Sequence, residues 1–484
     1  MAVQSLLIRF VLSPLGTIMD KLPEKIKNAM FLAGGIGLVV MNFLQNAGVL
    51  QVRYLIFFVI CCVFLGMMIL ASLKKEMEPV KFNKWLACFW FGAGILILIS
   101  GIRNNVDYLP GAAMMLVAFP ILYIGWTNAE RDRIFGLLLS VNRLAGWLFV
   151  GASFLLIPIV RIRYAGIFVN TNSAAYCLSV IFAGLLVNVI YTRKFGWKMG
   201  LDILLLGIVA ALNYYTASRT GTLAIYVASF FGVSLYLLTH KLKDNLACLA
   251  KTAAVMTAAT LCISGLVYVF QLRQAIPVPF YDLEEKTFYM NYRGLDNLLA
   301  KPTEPNTDAS TKPTGEPVTD STTKPTQGMF DNSSFKDMTD KKNDTTDKSL
   351  DKLSTGRLTV WRLYATQLNL FGHESVPPVY VDSLHRDIST THMTALQIGY
   401  ESGIIAGVLY LLFNLGTGVV TILFAWRYRS EQYAIFPLVV TAAFGVLSML
   451  GSCSVVFWHY TTLMYYLVQF PIMTRENHDA KMKG

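Results

Sequence analysis

Long uninterrupted apolar runs recur along this chain of 484 residues and decide what it can fold into. A helix crossing the hydrocarbon core of a bilayer takes roughly 20 consecutive apolar residues. Runs of this kind fall near 29–49, 54–73, 85–102, 109–127, 135–158, 173–191, 199–216, 221–239, 252–271, 403–426, 434–452 and 455–473. They are too long for barrel strands, and only closed hydrogen-bonded structures persist in lipid. The pattern predicts an all-α polytopic membrane protein with about twelve transmembrane helices. Composition agrees, because 54% hydrophobic and 15% charged residues leave too few ionic groups to cover a soluble surface.

The charges lie between the runs, and their alternation predicts an orientation, since Lys and Arg resist translocation. One set of connections is basic: Arg9 to Lys27, Lys74 to Lys84, Arg131 with Arg133, Arg193 to Lys198, Lys241 with Lys243, Arg427 with Arg429, and the tail with Arg475, Lys481 and Lys483. The other set carries only Arg53, Arg103, Arg161, Arg163 and Arg219 in its short loops. Both termini are therefore expected in the cytoplasm, as segments 1–28 and 474–484, with helices one to nine in 29–271 and ten to twelve in 395–473. The net charge of +11 is explained by topology, and nucleic acid is not an expected partner. The N-terminal segment is broken by Arg9 and Pro14 and reads as an interfacial helix rather than a signal peptide. Seven cysteines all fall in or beside apolar runs, so neither a disulfide framework nor a metal cluster is expected. Arg143 and Lys251, inside runs, are expected to reach toward the cytoplasmic side.

A loop at 272–394 separates the ninth and tenth runs and is placed outside the cytoplasm by the charge pattern. Its middle, 301–352, is rich in Thr, Pro, Lys and Asp, repeats TKPT, and has few large apolar residues, which predicts disorder. Arg357 to Gly372 instead spaces Leu358, Trp361, Tyr364, Leu368 and Phe371 for an amphipathic helix near 357–371, lying on the membrane face. A helix starting at Thr390 or Thr391 would put His392 in its first turn, at the membrane mouth.

Arg161, Arg163, Arg219 and Arg357 share the outward side. Guanidinium is a rigid fork of donors that suits phosphate oxygens and stays charged, although each could simply meet lipid headgroups. Of the six histidines, His373, His385 and His392 are external, and an imidazole there could take a proton from an attacking hydroxyl.

Four segments together resemble the O-antigen ligase and O-antigen polymerase superfamily: RYAGIFVNTNSAAYCLSV, NYYTASRTGTLAIYV, GRLTVWRLYATQL and THMTALQIGYESGIIAGVLYLLF. They are similar in order and spacing to the family's segments and span roughly residues 130 to 470. The resemblance implies an enzyme that moves oligosaccharide from undecaprenyl diphosphate to a glycan or lipid acceptor, without cofactor or metal, outside the bacterial cytoplasmic membrane. It gives diphosphate binding to Arg163 and Arg219, an assisting place to Arg357, an outside candidacy to Arg161, and activation of the acceptor hydroxyl to His392. Met393 departs from the family's usual Asn, which keeps His385 and His373 open as the base. Glu401 is read as structural, because nine residues of helix span about 13 Å. Polymerase is the first reading and ligase the second. A transporter of lipid-linked saccharides would require matching broken halves, and a receptor without catalysis would require a folded loop.

Overall fold

The computed structural model describes residues 2–50, 54–157, 163–192, 196–274, 281–282, 287–288, 356–377, 379–381, 386–388, 390–431, 433–453 and 457–475. The stretch 301–352, Arg161 and His385 lie outside them.

The described chain is an all-α, membrane-embedded bundle. Helices α1 (Ala2–Leu7) and α2 (Ser13–Met19) flank a π-helical segment, Ile8–Leu12. There follow α3 (Glu24–Asn46), α4 (Tyr54–Leu70), α5 (Lys84–Arg103), α6 (Leu109–Ala113), α7 (Phe119–Thr127), α8 (Arg131–Leu156), α9 (Thr171–Tyr191), α10 (Trp197–Tyr215), α11 (Arg219–Thr239) and α12 (Leu242–Gln274). After the loop come α13 (Arg357–Thr366), α14 (Thr394–Ser402), α15 (Ile404–Arg427), α16 (Phe436–Leu450), α17 (Tyr460–Val468) and α18 (Phe470–Met473). Among the described residues nine helices are long and apolar enough to cross a membrane, counting Val106–Thr127 as one. The expected spans 54–73, 434–452 and 455–473 coincide with the shorter α4, α16 and the α17–α18 pair. The last divides at Gln469, two residues before Pro471, whose missing N–H cannot continue the ladder.

Helix α9 is the axis of the bundle. Its most apolar stretch is 89% buried, against 17% for α12, which lies at the margin with Leu246, Leu249, Met256 and Leu261 exposed. Small residues let the neighbours close on it: a Cβ on Gly184 would strike the Asn142 amide of α8, and one on Gly221 would meet the Cβ of Ala175. Asn142 shows how a polar side chain inside is partnered. Asn142 Nδ2 donates to Ile181 O at 2.8 Å, and the Tyr460 hydroxyl donates to Asn142 Oδ1 at 3.1 Å.

The two intramembrane cations find local partners. Arg143 lies 3.8 Å from Asp202, which also accepts from Asn188 at 2.7 Å. Lys251 Nζ donates to the carbonyls of Ile190 and Thr192 at 2.9 and 2.7 Å, satisfying the C-terminal end of α9. At the bundle end where α8 begins, basic side chains meet carboxylates: Arg131 pairs with Glu431, Arg133 with Glu24 at 2.5 Å, and Lys27 with Glu24 at 3.0 Å. In the segment α1–α2, Ile8 and Leu12 pack on Leu73, Val80 and Ile124, while Leu6, Phe10 and Ile18 are exposed.

The expected helix 357–371 is shorter. It ends at Thr366, because the Asn369 side chain takes the amides of Phe371 and Gly372 at 2.8 and 2.6 Å and turns the chain. Val360, Leu363 and Tyr364 are buried with Tyr400 of α14, so α13 packs on protein and not only on the membrane face. Segment 369–373 then presses on the junction of α14 and α15, where Gly403 has φ +96° and a Cβ would collide with the Leu370 carbonyl oxygen. Gly403→Ala is expected to cost about 2 kcal/mol or more from backbone strain and collision, read as a lower melting temperature in detergent; an unchanged value would show that this junction yields freely.

Candidate functional site

At the bundle end opposite Arg131, the turn TASRTG is built to present Arg219. Thr216 Oγ1 accepts from Ser218 N at 3.1 Å, Ala217 takes a left-handed φ of 55°, and Ser218 caps α11 by accepting from Gly221 N. Arg219 is therefore the first residue of the helix, exposed. Behind it, Asn213 Nδ2 donates to Ala175 O at 3.0 Å and to Ser179 Oγ at 3.2 Å, which ties the turn to α9.

The loop before α9 hooks onto the same turn. The amides of Arg163 and Tyr164 both donate to Tyr215 O, at 3.0 and 2.9 Å, with Arg163 exposed and at φ 77°. Asn170 caps α9 by accepting from Asn172 N at 2.8 Å, and Ser218 Oγ donates to Asn172 Oδ1 at 3.2 Å.

Arg357 opens α13 and comes to this place from the far side of the loop. Its guanidinium donates to Thr220 Oγ1 of α11 at 3.2 Å. Burial holds it below the usual arginine value; the Tyr176 phenol opposes that shift, and the neighbouring Arg219 guanidinium adds to it. Two guanidiniums thus sit beside one another, and among the described residues no carboxylate pairs with Arg163, Arg219 or Arg357. Arg103, from the same sparse set of loop arginines, is used elsewhere, over the Phe371 ring at 4.4 Å.

His392 does not stand in the first turn of a helix, as the sequence suggested. Helix α14 begins at Thr394 with Met393 as the capping position, and His392 precedes it at a left-handed φ of 53°. The reason is a side-chain brace: Thr391 Oγ1 donates to Met393 O at 2.8 Å, and Gln397 Oε1 accepts from Thr391 N at 3.0 Å. Gln397 in turn donates to Glu401. Glu401 therefore bears on the His392 turn through Gln397. The turn is pinned by Thr394 Oγ1, which donates to Gly451 O at 3.2 Å and accepts from Cys453 N at 2.9 Å. Gly451 lies directly against the Tyr176 hydroxyl of α9. Thr462 of α17 donates to Cys453 O at 3.0 Å.

These bonds link the segments that carry Arg163, Arg219, Arg357 and His392 to the first turns of α9, α11, α14 and α17. Each helix N-terminus adds the equivalent of roughly half a positive charge, so the place favours an anion. Three of the four non-glycine residues with positive φ among the described residues, Arg163, Ala217 and His392, are here. Such conformations are costly and concentrate where a side chain must be aimed. His373 is committed differently: its ring stacks on Tyr400 with centroids 4.1 Å apart, and Nε2 lies 2.9 Å from Gln367 O. Tyr176, Ser218, Asn172 and Thr220 were not singled out from the sequence, and only the Asn170 cap before an apolar run was a usable local signal.

Burial raises the Glu401 carboxyl to about 7, partly offset by the hydrogen bond from Gln397. A carboxyl raised on folding contributes stability that is complete below about pH 4.5 and lost as pH climbs through about 7. Glu401→Gln should therefore melt progressively higher than the wild type from pH 5 to pH 8, by at most about 3 kcal/mol of stability. A melting difference that stays constant across this range would contradict the raised value.

No protein-family model matches the chain, and no curated protein is significantly similar to it.

Proposed function

We propose that the protein is a membrane glycosyltransferase that moves an oligosaccharide from undecaprenyl diphosphate to an acceptor hydroxyl outside the bacterial cytoplasmic membrane, acting as a repeat-unit polymerase. In this reading the bundle has twelve spans with both termini inside, and the Arg219 end faces outward with the loop 272–394. The observation that carries the reading is the juxtaposition of Arg219 and Arg357 at helix N-termini, beside the His392 turn. Like charges held together, with no carboxylate paired to them among the described residues, are costly alone and are relieved by a multiply charged anion.

The reaction is a displacement at the anomeric carbon. The acceptor oxygen attacks while His392 takes its proton; the bond from the carbon to the diphosphate oxygen breaks, and that oxygen keeps the electron pair. Charge grows on the diphosphate as the bond lengthens, and preplaced guanidiniums and helix N-termini meet it without reorganising. Arg163, in the α8–α9 loop, is tied by its backbone amide to Tyr215 O, just before the Arg219 turn.

Reconstitution of the purified protein with a lipid-diphosphate oligosaccharide tests the reading. The expected result is a ladder of longer lipid-linked glycans. Passage of intact lipid-linked sugar across the bilayer, with no new glycosidic bond, would overturn it in favour of transport.

A further inference from the structure

His392 holds a left-handed φ of 53°, a conformation that a non-glycine residue keeps only where its neighbours enforce it. Gln397 takes hold of both neighbours. Its backbone N–H donates to Met393 O at 2.9 Å, and its side-chain Oε1 accepts from Thr391 N at 3.0 Å. Thr391 is fully buried and Gln397 is 6% exposed, so the Thr391 amide depends on this acceptor in place of bulk water.

An amide side chain has an oxygen end and a nitrogen end, and the end that faces Thr391 is decided on its other side. Gln397 Nε2 donates to the Glu401 carboxyl one helical turn on, which leaves Oε1 for Thr391. Glu401 is in turn fixed from outside α14. Its carbonyl accepts from Ser100 Oγ of α5 at 2.7 Å, and Gly372 lies so close to that carbonyl that a Cβ there would strike it. A continuous run of contacts therefore leads from α5 through Glu401 and Gln397 to the two residues that bracket the candidate imidazole.

We propose that Gln397 is a positioning residue for the transfer reaction, holding the His392 backbone so that its imidazole meets the acceptor hydroxyl in one orientation. The proposal rests on the reading of His392 as the base given above. It gives Glu401 a part at one remove, as the group that keeps the Gln397 amide turned the right way. Methionine at 397 would fill a similar volume and leave the buried Thr391 N–H without its acceptor, freeing the turn to abandon its left-handed conformation.

Single-turnover transfer and undecaprenyl diphosphate binding by the full-length protein in proteoliposomes test this, in Gln397→Met, His392→Ala and the double variant. Gln397→Met should lose about tenfold to a hundredfold in turnover and bind undecaprenyl diphosphate with wild-type affinity, since Arg219 and Arg357 are untouched. Added to His392→Ala, the same substitution should cost nothing further, because the brace acts through the imidazole. Glu401→Gln, which still offers Gln397 Nε2 an oxygen, should keep turnover closer to the wild type than Glu401→Leu, a comparison that leaves the Thr391 acceptor in place. An equal loss from Gln397→Met in both backgrounds, or a loss of affinity that accounts for the loss of turnover, would overturn the positioning role and leave His392 as the base. Undiminished turnover in His392→Ala would overturn the base and the positioning role together.

Discussion

Arg219→Ala and Arg357→Ala are each expected to lower glycan transfer by roughly a hundredfold to a thousandfold, the usual cost of removing one preplaced donor from a developing oxyanion. The accompanying stability change separates function from structure. Arg357 is partly buried beside Arg219, so removing either charge relieves a repulsion, and the melting temperature should hold or rise. A purely structural arginine would do the reverse. Lysine should rescue little at 357, because an ammonium cannot both reach Thr220 Oγ1 and present a two-point face to phosphate. Transfer rates in proteoliposomes, set beside melting curves of the same preparations, check this. Full activity in both alanine variants would remove the arginines from the reaction.

His392→Ala should separate binding from chemistry. Loss of a general base costs about 100-fold to 10,000-fold in turnover, while affinity for the lipid diphosphate should stay near that of the wild type, because the guanidiniums are untouched. His373→Ala gives the contrast: its ring stacks on Tyr400 and holds the Gln367 turn, so its loss should lower stability more than turnover at saturating substrate. Single-turnover rates and binding measured on both variants decide the matter. If His373→Ala stops turnover while His392→Ala keeps it, the base has been assigned to the wrong imidazole.

Much of the fold was legible because the length of an apolar run is a direct physical measure of a crossing. The runs 173–191 and 403–426 became Thr171–Tyr191 and Ile404–Arg427. Apolar composition could not separate the axial α9 from the marginal α12, since lipid and protein interior accept the same side chains. Helix α13 was overextended because Leu368 and Phe371 keep the apolar spacing, while the Asn369 turn that ends the helix depends on a local side-chain bond. Arg143 with Asp202, and Lys251 with the end of α9, join residues far apart in sequence, so no local pattern announces them.

The candidate site was legible only in part. Arginines on one side of a topology can be counted, but their meeting depends on α13 returning across the loop to α11. Only the step from Gln397 to Glu401 follows helical spacing; the Thr391 bond depends on α14 starting at Thr394.

The most direct measurement counts undecaprenyl diphosphate released against glycosidic bonds formed by the purified protein in proteoliposomes. One released carrier per bond in the wild type, with both falling together in Arg219→Ala and His392→Ala, is the predicted result. Bond formation without carrier release, or loss of lipid-linked sugar from one leaflet with neither product, would contradict the account.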